Sequence, residues 1–233
     1  LLIRNRDITG DDAIEEYLNG SLLNLHDPES MKGIGKAVSI LLQKIDEEKK
    51  IRIIGDYDID GVTSTYILLS SLKSCGANVD YEIPDRIRDG YGINIDLVRN
   101  AYEDGVDTIL TCDNGIAAVD QIALAKRLGM TVIVTDHHEP QYTEGEHGRI
   151  WNLPAADVLI DPRLEQCTYP FKKICGAVVA WKLITALYQA EALPEWEWKQ
   201  FLEFAAIATV GDVMDLEGEN RIIVRHGLKA LER

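Results

Sequence analysis

The sequence predicts an α/β fold, a parallel sheet with helices on both faces and helical extensions at its N- and C-terminal sides. Two observations carry that prediction. Short β-branched runs, each followed by an amphipathic stretch, recur four times through the middle of the chain. The runs are almost wholly apolar, as strands covered on both faces are, and the intervening stretches are long enough for the helical crossovers that parallel strands require.

The elements follow in order. Ile14, Tyr17 and Leu18, then Ile34, Val38, Leu41 and Leu42, have the three- and four-residue spacing of helices. Strands are predicted at Ile51 to Ile54, Val79 to Ile83, Val106 to Thr111 and Thr131 to Thr135. Helices are predicted at Val62 to Leu72, Ile95 to Tyr102 and Ile116 to Leu128. A polar loop with Gly145, Gly148 and Pro154 leads to a fifth strand, Val158 to Ile160. Three helices then follow, at Ala177 to Tyr188, Trp196 to Val210 and Asn220 to Leu231. This divides the chain into an N-terminal helical segment (1–50), an α/β domain (51–215) and the start of a connecting helix (216–233). A chain that begins at Leu1 and stops within a helix reads as part of something longer.

Composition narrows the function. The 233 residues carry 24 Lys and Arg against 39 Asp and Glu, a formal charge of −15, with no basic run longer than a pair such as Lys49-Lys50. A protein that grips nucleic acid unaided displaces counterions with a positive stripe, and this chain has none. A polyanion would have to be held by a few placed cations, by metal ions or by a partner. No apolar run reaches the roughly 20 residues of a membrane span, and no signal-peptide core is present. Cys75, Cys112, Cys167 and Cys175 form no Cys-x-x-Cys pair. Reduced thiols and a cytoplasmic location are the expectation.

The acids fall at the strand ends. The first strand runs into Gly55-Asp56-Tyr57-Asp58-Ile59-Asp60-Gly61 and the third into Asp113-Asn114-Gly115. The fourth runs into Asp136-His137-His138 and the fifth into Asp161-Pro162-Arg163. In an open parallel sheet these ends share one edge, where ligands bind. Carboxylates gathered there stay ionised only if a cation neutralises them. With imidazoles beside them, they suit a hard or borderline divalent ion. Each motif also has a plainer use. A lone Asp after a strand commonly caps a helix, and Asp161 and Asp120 are read as caps. Asp56-x-Asp58-x-Asp60-Gly61 alone fits an Asx-turn. A calcium loop would need Glu six residues after the Gly, where Ile67 stands.

These motifs, with Thr209-Val210-Gly211-Asp212-Val213-Met214, occur in the order found in the DHH phosphoesterase superfamily. Within it the chain resembles the catalytic core of the RecJ group of single-strand-specific exonucleases. Ile83-Pro84-Asp85-Arg86, Gly90-Tyr91-Gly92, Asp161-Pro162-Arg163 and Cys175-Gly176-Ala177 add to the likeness, which spans nearly the whole chain. It implies a DHH-type catalytic domain and two divalent ions, Mn²⁺ or Mg²⁺. Asp58, Asp60, Asp113, His137 and Asp212 match the metal ligands, Asp113 as the bridge. His138 matches a histidine beside the substrate phosphate, Asp136 an acid orienting a histidine, and Asp56 a residue behind the ligands. One departure stands out: some members carry a metal-binding His where this chain has Ile54, which predicts a weaker ion next to Asp58.

The resemblance further implies in-line attack by activated water on single-stranded DNA, 5′ to 3′, releasing 5′-mononucleotides. Arg86, Arg88 and Arg163 are the cations to weigh for phosphate contact, with Arg86 and Arg163 placed first, while Lys172 and Lys173 read as solvated surface charges. Trp181, Trp196, Trp198, Phe201 and Phe204 read as helix packing rather than base stacking. Members of the superfamily pair this domain with a DHH-associated domain, and the RecJ group adds an oligonucleotide-binding fold. The expectation is therefore a metal-binding piece with weak or no activity alone. Two alternatives stay open: a phosphoesterase of short oligonucleotides, cyclic dinucleotides or another small phosphate, and a binding module that has lost catalysis.

Overall fold

The computed structural model describes residue 5 and residues 8–88, 90–145 and 148–232. Five parallel strands form the sheet: β1 (Ile51–Ile54), β2 (Val79–Glu82), β3 (Thr108–Cys112), β4 (Thr131–Thr135) and, after a hairpin, β7 (Val158–Ile160), in the order β2-β1-β3-β4-β7. The chain leaves β1 for one side of the sheet and returns to build the other side, so the order reverses between β1 and β3. That switch point opens a crevice at the strands' C-terminal ends. The loops after β1 and β3, which carry four of the predicted acids, flank it.

Period-two alternation explains the layers. Ile51, Ile53, Leu110, Cys112, Ile133, Val158 and Ile160 face one way. They pack with α2 (Ile34–Asp46), α3 (Ile59–Ser74), α6 (Gly176–Ala190) and α8 (Leu202–Gly211). Ile54, Ile109, Val132 and Val134 face the other way, against α4 (Ile95–Glu103) and α5 (Val119–Arg127). Helix α6 is buried from Gly176 through Tyr188, as expected of a helix apolar all round. Trp181 belongs to that core and donates its indole N–H to the Trp198 carbonyl at 2.9 Å. Phe201 is buried with it, whereas Trp196 is exposed.

The structure departs from the sequence reading in several places. β3 begins at Thr108 rather than Val106. The stretch read as polar loop forms an antiparallel hairpin, β5 (Tyr142–Gly145) with β6 (Gly148–Trp151). The single helix expected from Trp196 to Val210 is two, α7 (Glu195–Lys199) and α8. Helix α5 starts at Val119 instead of Ile116, because Ile116 gives its N–H to Asp136 in the turn after β3. Asp120 consequently sits within the first turn of α5 and makes no cap; the cap position is Ala118, with no side-chain bond. Asp161 caps no helix either, but accepts the Arg163 N–H at 2.7 Å in an Asx-turn. Helices α1 (Asp11–Asn19) and α9 (Gly218–Leu231) and two 3₁₀ turns, Leu22–Asn24 and Pro28–Ser30, complete the described elements. No helix among the described residues is long and apolar enough to cross a membrane.

Candidate metal centre

The first loop is set by α3. Asp58 is its N-cap, accepting the Gly61 N–H at 2.9 Å. Asp60, in the first turn of the helix, is buried, and its two oxygens accept the N–H groups of Gly176 and Ala177 at 2.6 and 2.7 Å. Those are orphan donors of α6, whose own cap residue Cys175 offers no side-chain bond. A carboxylate from α3 thus does the capping for α6, which ties two helices to the site and aims the positive end of α6 at it. The approach is close. A Cβ on Gly176 would stand 2.7 Å from the Asp113 Cβ, so no larger residue fits there without a shift.

Asp113 follows β3 with φ of 60°, a left-handed conformation that Asp tolerates better than most residues. Its N–H continues the sheet ladder to the Thr135 carbonyl at 3.1 Å. Next to it Asn114 braces the loops, donating to the Cys112 and Ile54 carbonyls and accepting the Ile93 N–H. Beyond β4, His137 turns its Nε2 to 3.1 Å from Asp113, 3.5 Å from Asp60 and 4.0 Å from Asp212, which ends α8.

All five predicted ligands therefore come together. One donor atom from each of Asp60, His137 and Asp212 lies within 4.8 Å of the others, and the same holds for Asp56, Asp58 and Asp113. Buried Oδ1 of Asp113, Oδ2 of Asp56 and Nδ1 of His137 have no hydrogen-bond partner. Burial, then the charges of Asp60 and Asp58, push the Asp113 carboxyl far above the ordinary carboxylate range. Burial also raises Asp56 and Asp212 and lowers His137. Orphaned oxygens and an imidazole in a crowded acidic crevice fit a hard divalent cation bound by carboxylate and histidine.

Asp136 and His138 form a separate unit. Asp136 is buried; one oxygen accepts the Ile116 N–H, and the other accepts the N–H groups of His137 and His138 and stands 2.7 Å from His138 Nδ1. Burial alone would raise this carboxyl, but the His138 hydrogen bond, its charge and the backbone donors hold it below the usual range. The same hydrogen bond raises His138. Tyr91, whose loop the sequence reading used only for resemblance, donates its hydroxyl to the Asp113 carbonyl at 2.8 Å and lies 3.2 Å from His138 Nε2. The hydroxyl is 3.4 Å from Nδ1 as well, so it lies off both ring N–H directions and its directed hydrogen bond is the one to Asp113.

The predicted cations divide. The Arg86 guanidinium lies 5.4 Å from the Tyr57 ring centre, and Tyr57, Tyr91 and His138 follow one another edge to face. Arg163 binds Glu139 at 2.9 Å. Lys172 donates to the Cys167 carbonyl, while Lys173 pairs with Asp215 and Glu217.

The DHH family, N-terminal domain, matches residues 50–209. The chain belongs to the DHH family. Among curated relatives of this DHH chain, the single-stranded-DNA-specific exonuclease RecJ of Bacillus subtilis is 42% identical over 93% of the chain and 26% of its own length. The chain spans from about a quarter to two fifths of the length of the curated relatives it matches. A crystal structure of exonuclease RecJ bound to manganese superposes with a TM-score of 0.75 at 35% identity, over 85% of this chain and 48% of that one. RecJ of Thermus thermophilus in complex with Mg²⁺ superposes at 0.61 with 29% identity, over 92% of this chain and 25% of that one.

Proposed function

We propose that this chain is the metal-holding, bond-cutting part of a cytoplasmic exonuclease of the RecJ type, acting 5′ to 3′ on single-stranded DNA and releasing 5′-mononucleotides. The observation that carries the reading is the crevice itself, where buried carboxylates and His137 converge with orphaned donor atoms and, among the described residues, no Lys or Arg ion pair. Asp58, Asp60, Asp113, His137 and Asp212 are the residues that would hold two Mn²⁺ or Mg²⁺ ions, the metals in the RecJ structures. Bound there, such ions supply Lewis acidity and activate water for attack on a phosphodiester.

The remaining roles belong to side chains already placed. Asp136 fixes the His138 ring through Nδ1. The Tyr91 hydroxyl, anchored on the Asp113 carbonyl, packs beside both ring nitrogens and leaves the Nε2 direction open. His138 is thus set as a cationic donor that can bind a phosphoryl oxygen or return a proton to the leaving 3′-oxygen. The N-terminal ends of α3 and α6 add positive potential beside a phosphate. Arg86, Tyr57 and Tyr91 lead away from His138 as a cationic and aromatic strip, which suits a single strand with splayed bases. Arg163 stands beyond Asp161 as a further phosphate contact once released from Glu139.

With a net charge of −15 the chain has little general hold on DNA. A DHH-associated domain and an oligonucleotide-binding fold are the partners proposed to supply it, and turnover by this chain alone should be weak. The test is hydrolysis of end-labelled single-stranded DNA with Mn²⁺, beside a duplex and a dinucleotide. Mononucleotides released from the 5′ end of the single strand, and lost with Asp113→Ala, are the expected result. Turnover of the dinucleotide alone would favour a small-substrate phosphoesterase. Activity unchanged by Asp113→Ala would overturn the catalytic reading and favour a binding module.

A further inference from the structure

The turn that ends α8 holds a residue the metal centre does not explain. Met214 gives its N–H to the Thr209 carbonyl at 3.1 Å, and Val213 gives its N–H to the Val210 carbonyl at 3.2 Å. This pair of bonds closes a helix through one left-handed residue, usually glycine. Here that residue is Val213, with φ of 56°. Of the four non-glycine residues with positive φ among the described residues, it alone is branched at Cβ, and for such a side chain this backbone is strongly disfavoured. The fold gains little packing in return, since Val213 is 86% exposed. Strain kept where packing does not require it points to a use at the neighbouring site.

The surroundings say which use. Val213 follows Asp212, whose carboxylate stands 4.0 Å from His137 Nε2. Ile59, between Asp58 and Asp60, presses on the same turn: a Cβ on Gly211 would lie 2.6 Å from the Ile59 Cγ2. Ile59 and Val62, one turn apart on α3, and Val210 and Val213, three residues apart across the end of α8, are all exposed. Four aliphatic side chains thus form a wall beside the acids. The other neighbour of Asp58 is of a different kind, for Tyr57 faces Tyr91 and the Arg86 guanidinium. A phosphodiester held between the acids carries a nucleoside on each side, and only one of them lies toward that aromatic strip. The aliphatic wall has no side-chain donor or acceptor, which suits the apolar face of any base.

We propose that Val213, with Ile59, Val62 and Val210, forms an apolar subsite against which the base of one nucleoside flanking the scissile phosphate packs. The left-handed turn holds the valine out at the margin of the crevice for that contact. The inference rests on the exonuclease reading above and deepens it by naming a base subsite without sequence preference.

Val213→Gly is the test, because it relaxes the turn while removing the side chain. Single-turnover cleavage of end-labelled single-stranded DNA, with Mn²⁺ and the chain in excess, should slow by about 5- to 10-fold at subsaturating concentration, the scale of one partly buried valine. Mn²⁺ affinity measured by calorimetry should match wild type, and the melting temperature should hold or rise by a few degrees. An abasic residue placed on one side of the scissile bond should abolish the difference between variant and wild type. Equal cleavage of the normal strand, or a loss that persists with abasic residues on either side, would overturn the proposal. So would a matching loss of Mn²⁺ affinity or a clear fall in melting temperature, which would assign the strained turn to holding Asp212 or to the fold. These failures leave the exonuclease reading intact, whereas a wild-type chain that cuts no single strand with Mn²⁺ would sink that reading and this inference with it.

Discussion

Two acidic clusters sit on the same sheet and differ in what neutralises them. Between β1 and the edge strand β2, Arg52 takes Asp80 with two hydrogen bonds of 2.8 and 2.7 Å, Asp104 at 2.9 Å and Glu82 at 3.3 Å. Lys50 reaches Asp80 as well, at 3.1 Å. At the switch point, Asp56, Asp58, Asp60, Asp113 and Asp212 gather near one buried imidazole, with no Lys or Arg paired to them among the described residues. The consequences have opposite sign. Asp80 would be raised by burial, but its bonds to Arg52 and Lys50 hold it below the usual carboxylate range. Burial and neighbouring acids drive Asp113 far above it. An acidic cluster becomes a candidate metal site when the chain has not provided its own countercharge.

The largest effect that would break this contrast is catalytic. Asp113→Ala should cost about 10³-fold or more in hydrolysis of single-stranded DNA, the scale of losing a principal electrostatic contributor. A smaller loss in steady-state rates would mean that Asp113 is as dispensable as a surface acid.

The next effect is on stability. Arg52→Met leaves Asp80, Glu82 and Asp104 facing one another and should lower unfolding free energy in urea at pH 7 by about 3 kcal/mol, at the low end for a broken buried pair because its partners are partly exposed. In the metal-free chain Asp113→Asn should do the reverse, leaving stability unchanged or raising it. The Asp80 contribution is fully present above its unfolded pKa, near 3.9, and is lost as pH falls through the lower folded value. The Arg52→Met deficit should therefore shrink in acid.

The smallest effect concerns Asp161, the buried neighbour of Asp136. Burial and the Asp136 charge push its carboxyl up to about 8. The folded state then holds a proton that the unfolded chain has lost, so this group removes stability as pH rises from about 4 toward 8. Asp161→Asn, which keeps an acceptor for the Arg163 N–H, should flatten the decline in metal-free thermal stability between pH 5 and 7 by about 1–3 kcal/mol. An identical pH profile for variant and wild type would contradict that assignment.

How much of this was legible beforehand depends on which physical rule governs each residue. β1, β4 and β7 match their predicted limits because near-continuous β-branched runs fix buried parallel strands. That placement brings four candidate ligands, Asp58, Asp60, Asp113 and His137, to one edge of the sheet, while Asp212, at the end of α8, was singled out only by the order of the motifs. The hairpin β5–β6 was not legible. Its exposed strands carry no apolar alternation, and Gly145 and Gly148 read as loop when they are paired at the hairpin end. Nor could spacing reveal Asp60 capping α6 across 116 residues of sequence. The Tyr91 bridge between Asp113 and His138 is likewise a tertiary contact of a loop. Arg52 read as one more strand residue, since only the register opposite Asp80 shows that it neutralises an acidic cluster.

The most direct test is an anomalous-scattering map of crystals loaded with Mn²⁺. The account predicts two manganese peaks at the switch point, among Asp58, Asp60, Asp113, His137 and Asp212, and none beside Arg52, Asp80 and Asp104. An empty crevice at saturating Mn²⁺, or manganese bound equally at both clusters, would contradict it.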